Sequence, residues 1–339
     1  MTIKEIADQL NISTATVSRV LNGKPGVAEK TRQLVLQMVN DLRFTPNPAA
    51  SNLASSKTYA IAFVIRRRLL GEENTFYDAM MVGVERELEQ HGYHLVAITI
   101  DDDSSRDLWL PPGLDTRRLD GMFITGCELS DRVMTTLLSM DTPTVLVANH
   151  LMDDSLDAVT SANRSGGYAA TEHLIKHGHK NIAFVNGPND WSPVYERLQG
   201  YREAMSNYDL RPIISHQSNL LIDNGIAAFE EIKQVDEPVT AVFAANDPVA
   251  IGVMQAAQGM GLSIPDDLAI IGYDNISWSE TTTPTLTTIN IQKDKIGQLA
   301  ARRLLDLLNG EALTPIKIEV SNNLVIRESC GCSPGTLIH

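Results

Sequence analysis

Ser13-Thr14-Ala15-Thr16-Val17-Ser18-Arg19-Val20-Leu21-Asn22-Gly23 is the stretch on which the reading of this chain turns. Ser13 is a good N-cap, its hydroxyl able to take an orphan amide at a helix start. Asn22-Gly23, backed by Pro25-Gly26, closes the unit with strong turn chemistry. Between them Val17, Val20 and Leu21 share one helical face, and Thr14, Ala15, Ser18 and Arg19 share the other. Upstream, Thr2 and Glu5 have capping-box spacing. Ile3, Ile6, Ala7 and Leu10 then form one apolar stripe, so a first helix is expected from about Ile3. Asn11 turns the chain, with Ile12 placed to pack beneath the turn. Downstream, a third helix is expected from Glu29 to Leu42, with Leu34, Val35, Met38, Val39 and Leu42 facing inward.

Two short helices joined by a tight turn, with a third behind them, suit a helix-turn-helix, whose second helix places its N-terminal residues in the DNA major groove. Ser13, Thr16 and Ser18 carry hydroxyls suited to phosphate oxygens. Arg19 can give two hydrogen bonds to a guanine edge, and Ala15 offers a methyl to thymine. By pattern alone, a solvated polar helix in a small helical domain also fits. The charge distribution favours the DNA reading. The first 58 residues carry seven bases (Lys4, Arg19, Lys24, Lys30, Arg32, Arg43, Lys57) against four acids (Glu5, Asp8, Glu29, Asp41), although the whole chain stands at −14. A basic head on an acidic body permits phosphate contact at one end only.

Thr2-Ile3-Lys4-Glu5-Ile6-Ala7, the Ser13 to Gly23 stretch, Lys24-Pro25-Gly26-Val27 and Phe44-Thr45-Pro46-Asn47-Pro48-Ala49-Ala50 together resemble the lactose/galactose repressor (LacI/GalR) family, and the resemblance runs over the whole chain. It implies that Thr14, Ala15 and Arg19 read bases and that Thr2, Ser13, Thr16, Ser18 and Asn22 hold phosphates. It also implies a homodimer on a roughly palindromic double-stranded operator, higher oligomers being left open. A small-molecule effector, by family default a sugar, would control that binding. Repression is the default sign, although co-repressed members exist.

The domain expectation is therefore residues 1–46 as the DNA-binding head, 47–58 as a hinge helix, and 59–339 as a two-lobed effector and dimerisation body. Asn47 as cap and Pro48 at the first helical position start a hinge helix that ends by about Ser55. So short a helix is marginal in isolation, and is expected to order on DNA. Leu53, beside Ala54, is a large apolar side chain among small and polar ones. The resemblance implies that it wedges into the minor groove at the operator centre; packing against the body or a partner hinge is the other reading.

From Tyr59 the chain alternates strand and helix, as in an α/β fold with parallel sheets. Strands are expected at Ala60 to Ile65, Tyr93 to Ile100, Gly121 to Thr125, Thr142 to Ala148, Ile182 to Asn186, Val239 to Ala244 and Leu268 to Tyr273. Helices are expected at Tyr77 to His91, Arg164 to His177, Val194 to Tyr208 and Pro248 to Gly259. The plan restarts near residue 160, which points to two similar lobes. The resemblance implies a periplasmic-binding-protein-like fold whose chain crosses between lobes near 160, 290 and 322.

Ligands in such folds collect at the carboxyl ends of strands. Asn246, Asp247, Asp274 and Asn186 stand there, and Asn and Asp together offer the donors and acceptors that vicinal hydroxyls need. The resemblance adds Arg197, Phe76 and Tyr77 as effector contacts, and Trp191 is placed to stack on a sugar face. Three departures bear on the ligand class: Arg66-Arg67-Arg68 after the first strand, Ala162 before Asn163, and Asn149, where acidic or small residues are usual in the family.

No catalytic residue, cofactor or metal is expected. The chain lacks a Gly-x-Gly-x-x-Gly after its first strand, a Gly-Lys-Ser/Thr phosphate loop and a Gly-x-Ser-x-Gly elbow. His173 and His177 share a helical face but lack a third ligand in sequence, Cys330-Gly331-Cys332 has no neighbouring His, and Cys127 reads as a buried thiol. No apolar run is long enough for a membrane span and no secretory signal is visible, so the expected location is the cytoplasm, on the nucleoid when DNA-bound. The alternative is a solute-binding protein of the periplasmic type, against which the attached head argues.

Replacing Leu53 by Ala is expected to weaken binding to a selected operator duplex in a gel-shift titration while leaving effector affinity unchanged. Unchanged operator affinity would remove the wedge.

Overall fold

In the computed structural model the described residues are 3–21, 25–42, 57–67, 75–100, 119–125, 142–151, 155–188, 191–312 and 314–332. The expectations for Thr2, Asn22, Arg68, Cys127 and the hinge residues Leu53 and Ala54 lie outside them. The chain divides into two compact units, Met1–Thr58 and Tyr59–His339.

In the first unit, α1 (Ile3–Leu10), α2 (Thr14–Leu21) and α3 (Glu29–Asp41) enclose a small core of Ile6, Ala7, Val17, Val20 and Val35. Asn11, at φ 50°, makes the turn between α1 and α2, and Ile12 packs against the core beneath it. Ser13 caps α2: its hydroxyl oxygen accepts the Thr16 amide at 3.1 Å. The expected inner face of α3 needs correction. Val35, Met38 and Val39 face the core, but Leu34 and Leu42 are exposed. A face centred on Val35 and its i+3 and i+4 neighbours leaves Leu34 on the flank, and Leu42 lies past the last helical residue.

The second unit holds two six-stranded sheets. The first contains β1 (Ala60–Arg66), β2 (His94–Ile100), β3 (Gly121–Thr125), β4 (Thr144–Val147), β5 (Asp157–Ser161) and β11 (Lys317–Val320), in the order β2-β1-β3-β4-β5-β11, all parallel. The second contains β6 (Ile182–Asn186), β7 (Ile213–His216), β8 (Ala241–Ala244), β9 (Ala269–Asp274), β10 (Thr287–Asn290) and β12 (Asn323–Val325), in the order β7-β6-β8-β9-β10-β12. Only the β10–β12 pair of this sheet is antiparallel. The two orders are the same plan used twice. Interior strands such as Ile61 to Ile65 and Ile182 to Val185 are fully buried, as runs covered on both faces must be.

Helices α4 (Phe76–Glu89) and α9 (Lys293–Leu308) pack with the first sheet. Helices α5 (Asn163–Lys176), α6 (Ser192–Asn207), α7 (Ile222–Ile232) and α8 (Asp247–Gly259) serve the second. The chain passes from the first sheet to the second between β5 and α5, returns between β10 and α9, and passes over again between β11 and β12. The sequence expectation places no element at β5, β7, α7, β10, α9, β11 or β12. All five of these strands are only three to five residues long, too short for a period-2 pattern to stand out.

Helices α5 and α6 cross at backbone contact. A Cβ on Gly200 would lie 2.0 Å from the carbonyl oxygen of Arg164, and one on Gly167 would lie 2.3 Å from that of Arg197. This approach sets Arg197 beside the start of α5. Gly200→Ala must force the helices apart, and a loss of about 2 kcal/mol is expected in urea unfolding. An unchanged midpoint would show that the contact tolerates a methyl.

Candidate functional site

A cleft of about 820 Å³, counted out to its open mouth, lies between the two lobes. Its walls come from carboxyl ends of strands and from starts of helices. The first lobe supplies Ala148 and Asn149 after β4, Thr160 and Ser161 at the end of β5, and Phe76 and Tyr77 at the start of α4. The second supplies Trp191, Pro193, Val194 and Arg197 around and on α6, Asn219 to Leu221 after β7, Asn246 after β8 and Asp274 ending β9. Asn163, first residue of α5, stands where the lobes meet.

Arg197 is the centre of the arrangement and is only 5% exposed. Its Nε donates to Asn163 Oδ1 at 3.0 Å and one terminal nitrogen donates to Asp274 Oδ1 at 3.1 Å. The other donates to the carbonyl of Ala245, and the guanidinium carbon lies 3.8 Å from the centre of the Tyr273 ring. Asp274 sits at φ 104° and Asn275 at φ 50°, a strained corner. Lys293 holds that corner through the carbonyls of both residues. Burial pushes the Asp274 carboxyl up, and Arg197 and Lys293 pull it back. Burial lowers the Lys293 ammonium.

Asp247 departs from its expected place. It is not among the residues lining the cleft; it lies fully buried behind Asp274 as the first residue of α8. There its carboxylate accepts the Thr288 hydroxyl at 2.5 Å and the Ile276 amide at 2.8 Å. Burial, then repulsion from Asp274, raise its pKa to about 7. Asn246 both lines the cleft and caps α8, accepting the Val249 amide at 3.0 Å while donating to the Leu220 carbonyl at 3.0 Å. Asn186 is buried at the end of β6, 3.3 Å from a ring nitrogen of His216. Arg66 ends β1, Arg67 follows it, and neither is among the lining residues.

Ser192 and Glu196 of α6 join the lobes across the cleft. Ser192, opening α6, donates to Asn149 Oδ1 at 2.6 Å. Glu196, one turn further on, accepts from Lys317 of β11 at 3.0 Å and lies 3.3 Å from His150. Each of these contacts joins a residue of α6 to the first lobe.

Phe76, Tyr77, Trp191, Arg197, Asn246 and Asp274 are thus brought together. Sequence reasoning missed Asn163, Ser161, Asn219 and Leu220 as lining residues. They follow or end β5 and β7, strands it did not place, so their position at a carboxyl end carried no signal. Asn149 was noted only as a departure. In the head, Ser13, Thr14, Ala15 and Arg19 are exposed, with Thr16 and Ser18 half-buried beside them. No helix among the described residues is long and apolar enough to cross a membrane.

Residues 2–47 match the model of "Bacterial regulatory proteins, lacI family", and residues 171–330 match that of a periplasmic binding protein-like domain. Catabolite control protein A of Priestia megaterium is 31% identical over 97% of this chain and 99% of its own. The HTH-type transcriptional regulator CelR of Thermobifida fusca is 31% identical over 97% of this chain and 98% of its own. Among solved structures, a complex of the transcriptional regulator CelR with cellobiose aligns over 97% of this chain and 99% of that one, at TM-score 0.75 and 29% identity. A lac repressor dimer bound to operator and an anti-inducer shares the fold over 97% of this chain and 99% of that one, at TM-score 0.83 and 24% identity.

Asp247 titrates near 7 when folded, against 3.8 as its ordinary value. Between those values the folded chain holds a proton that the unfolded chain has released, so this group's contribution to stability falls as pH rises from about 4 to about 7. Asp247→Asn removes that dependence and can keep both hydrogen bonds. Melting temperatures measured across this range are expected to fall less steeply with pH in the variant; an identical slope would contradict the assignment.

Proposed function

Because the chain belongs to the lacI family of bacterial regulatory proteins, a family of DNA-binding transcription regulators, we propose that it acts as a homodimeric repressor whose hold on a near-palindromic operator is set by a carbohydrate in the cleft. The observation that carries the carbohydrate reading is the composition of the cleft wall. Arg197, Asp274, Asn163, Asn246, Asn149, Ser161 and Asn219 converge with Phe76, Tyr77 and Trp191. A carboxylate accepts from a sugar hydroxyl, and an amide side chain can both accept from one and donate to it. Aromatic rings cover the apolar faces of a pyranose. That a CelR structure holds cellobiose supports the same class of ligand.

In the head, Thr14, Ala15 and Arg19 take the base edges while Ser13, Thr16 and Ser18 take phosphates, with Thr2 and Asn22 in the same role. Leu53 and Ala54 act at the operator centre. The dimer follows the two-fold symmetry that a palindrome requires, and the lac repressor dimer on its operator supports it. The chain does no chemistry on its ligand, needs no cofactor for this role, and works in the cytoplasm. A ligand that touches both lobes changes the balance between open and closed arrangements. The affinity of the heads for DNA changes with it, and DNA alters effector affinity by the same factor.

Selection of duplexes from a random pool, repeated with a panel of mono- and disaccharides and sugar phosphates, tests this. The expected outcome is one symmetric site whose recovery changes with one sugar. Arg19→Ala should then lose discrimination at one base pair per half-site, at a cost of about 1–3 kcal/mol. Recovery of no preferred duplex with any ligand would defeat the proposal.

A further inference from the structure

The carboxyl-terminal end of α5 meets the last described residues of the chain. His173 Nε2 lies 3.1 Å from the sulfur of Cys332, a residue 159 positions away. His177, one turn beyond His173, packs against it with ring centroids 4.3 Å apart and the rings tilted by 37°. One donor atom from each of His173, His177 and Cys332 lies within 4.8 Å of the others. The sequence reading had no third ligand for the two histidines and no His for the cysteines; the fold supplies each to the other. We propose that His173, His177 and Cys332 form a binding site for a thiophilic divalent cation of the Zn²⁺ class.

The donor set chooses that class. Two imidazoles and a thiol suit zinc, whereas magnesium and calcium need a cage of oxygens. Glu172, next to His173 in the chain, is engaged by Lys176 at 2.8 Å and by the Tyr208 hydroxyl at 3.1 Å. The spacing is close to what a metal needs. Tetrahedral bonds of about 2.3 Å to sulfur and about 2.0 Å to nitrogen put donor atoms about 3.5 Å apart. His173 and Cys332 are already inside that distance, and the longest separation must shrink by about 1 Å, within reach of a rotation of the exposed His177.

The ring nitrogens are set for the task. His177 Nδ1 lies 2.7 Å from the carbonyl oxygen of His173, which can only accept, so Nδ1 carries the proton and Nε2 presents its lone pair. Metal-bound histidines are commonly oriented by such a bond. His173 is buried, and its Nδ1 has no hydrogen-bond partner. Burial, then the neighbouring His177, His179 and Lys176, lower its pKa to about 4, so its ring is neutral and its lone pair available at physiological pH. Burial, then Cys330, push the Cys332 thiol up to about 12. Zn²⁺ therefore has to displace the thiol proton, which passes to solvent as the metal–sulfur bond forms. Gly331 at φ 77° makes the tight turn that presents Cys332 to the helix. His177, exposed, leaves the fourth coordination position open to water.

The test uses the full chain, tag-free and reduced, titrated with Co²⁺ and then with Zn²⁺. One Co²⁺ per chain is expected, with a near-ultraviolet band from thiolate-to-cobalt charge transfer that Zn²⁺ abolishes. His177→Ala, at an exposed position, and Cys332→Ser are each expected to weaken binding at least about tenfold, with the variants' circular dichroism unchanged in metal-free buffer. Absence of the band in the wild type overturns the proposal. So does a band that survives Cys332→Ser, which would place the thiolate elsewhere, or full affinity in His177→Ala, which would remove the second imidazole.

Discussion

A guanidinium that cannot shed its proton has been buried at the centre of the body, and much of the cleft is arranged around neutralising it. Leaving such a charge unpaired in the interior costs about 3–5 kcal/mol. The partners of Arg197 come from three separate places: Asp274 and the ring of Tyr273 at the end of β9, Asn163 at the start of α5, and the Ala245 carbonyl after β8. None can shift without exposing part of that cost. The cleft therefore meets its ligand with its polar groups already oriented, which lowers the ordering penalty of binding.

The Arg197 centre also fixes where the lobes can move. Asn163 follows directly on β5, so one of the three connections between lobes is pinned to the charged centre. On the same helix as Arg197, Ser192 and Glu196 reach across to Asn149 and to His150 and Lys317. Helix α6 thus carries both the cleft-facing charge and the contacts of Ser192 and Glu196 with the first lobe. Under the proposed function, a ligand that competes for Asn149 or Asn163 would act on lobe closure through these contacts, the kind of hinge on which such switches turn. Behind them, Asp247 and Asp274 crowd two carboxyls at one corner, with Lys293 from the return connection clamping the backbone there.

Helix α5 links two chemically distinct places. Its first residue, Asn163, belongs to the cleft, and its last turn bears His173 and faces Cys332. At 1.5 Å per residue these lie about 15 Å apart along one rigid rod. The close crossing of α5 over α6 at Gly167 and Gly200 holds that rod in place. Anything that ties the chain terminus to α5 therefore acts on an element that also contacts Arg197.

What the sequence by itself determined is local. The caps, turn residues and apolar spacing from Ile3 to Leu21 prescribe two helices and a turn, and the fold has them within a residue. The apolar runs at Ile61 to Ile65 and Ile182 to Val185 declare buried parallel strands, and the restart of the strand–helix plan near residue 160 points to two lobes. Asp274 is marked by its place at a strand end, and Arg197 is implied by the family resemblance alone. Tertiary structure decided the rest. Asp247 looks identical to Asp274 as an acid at a strand end, yet it turns inward to Thr288 and Ile276, because only assembly of β8, β9 and β10 side by side supplies those partners. Asn163 and Asn219 became lining residues, and His173 met Cys332, through contacts among segments far apart in the chain. Capping and periodicity act over a few residues and are written in them; burial, charge pairing and clustering depend on what distant segments bring, and no local pattern encodes that.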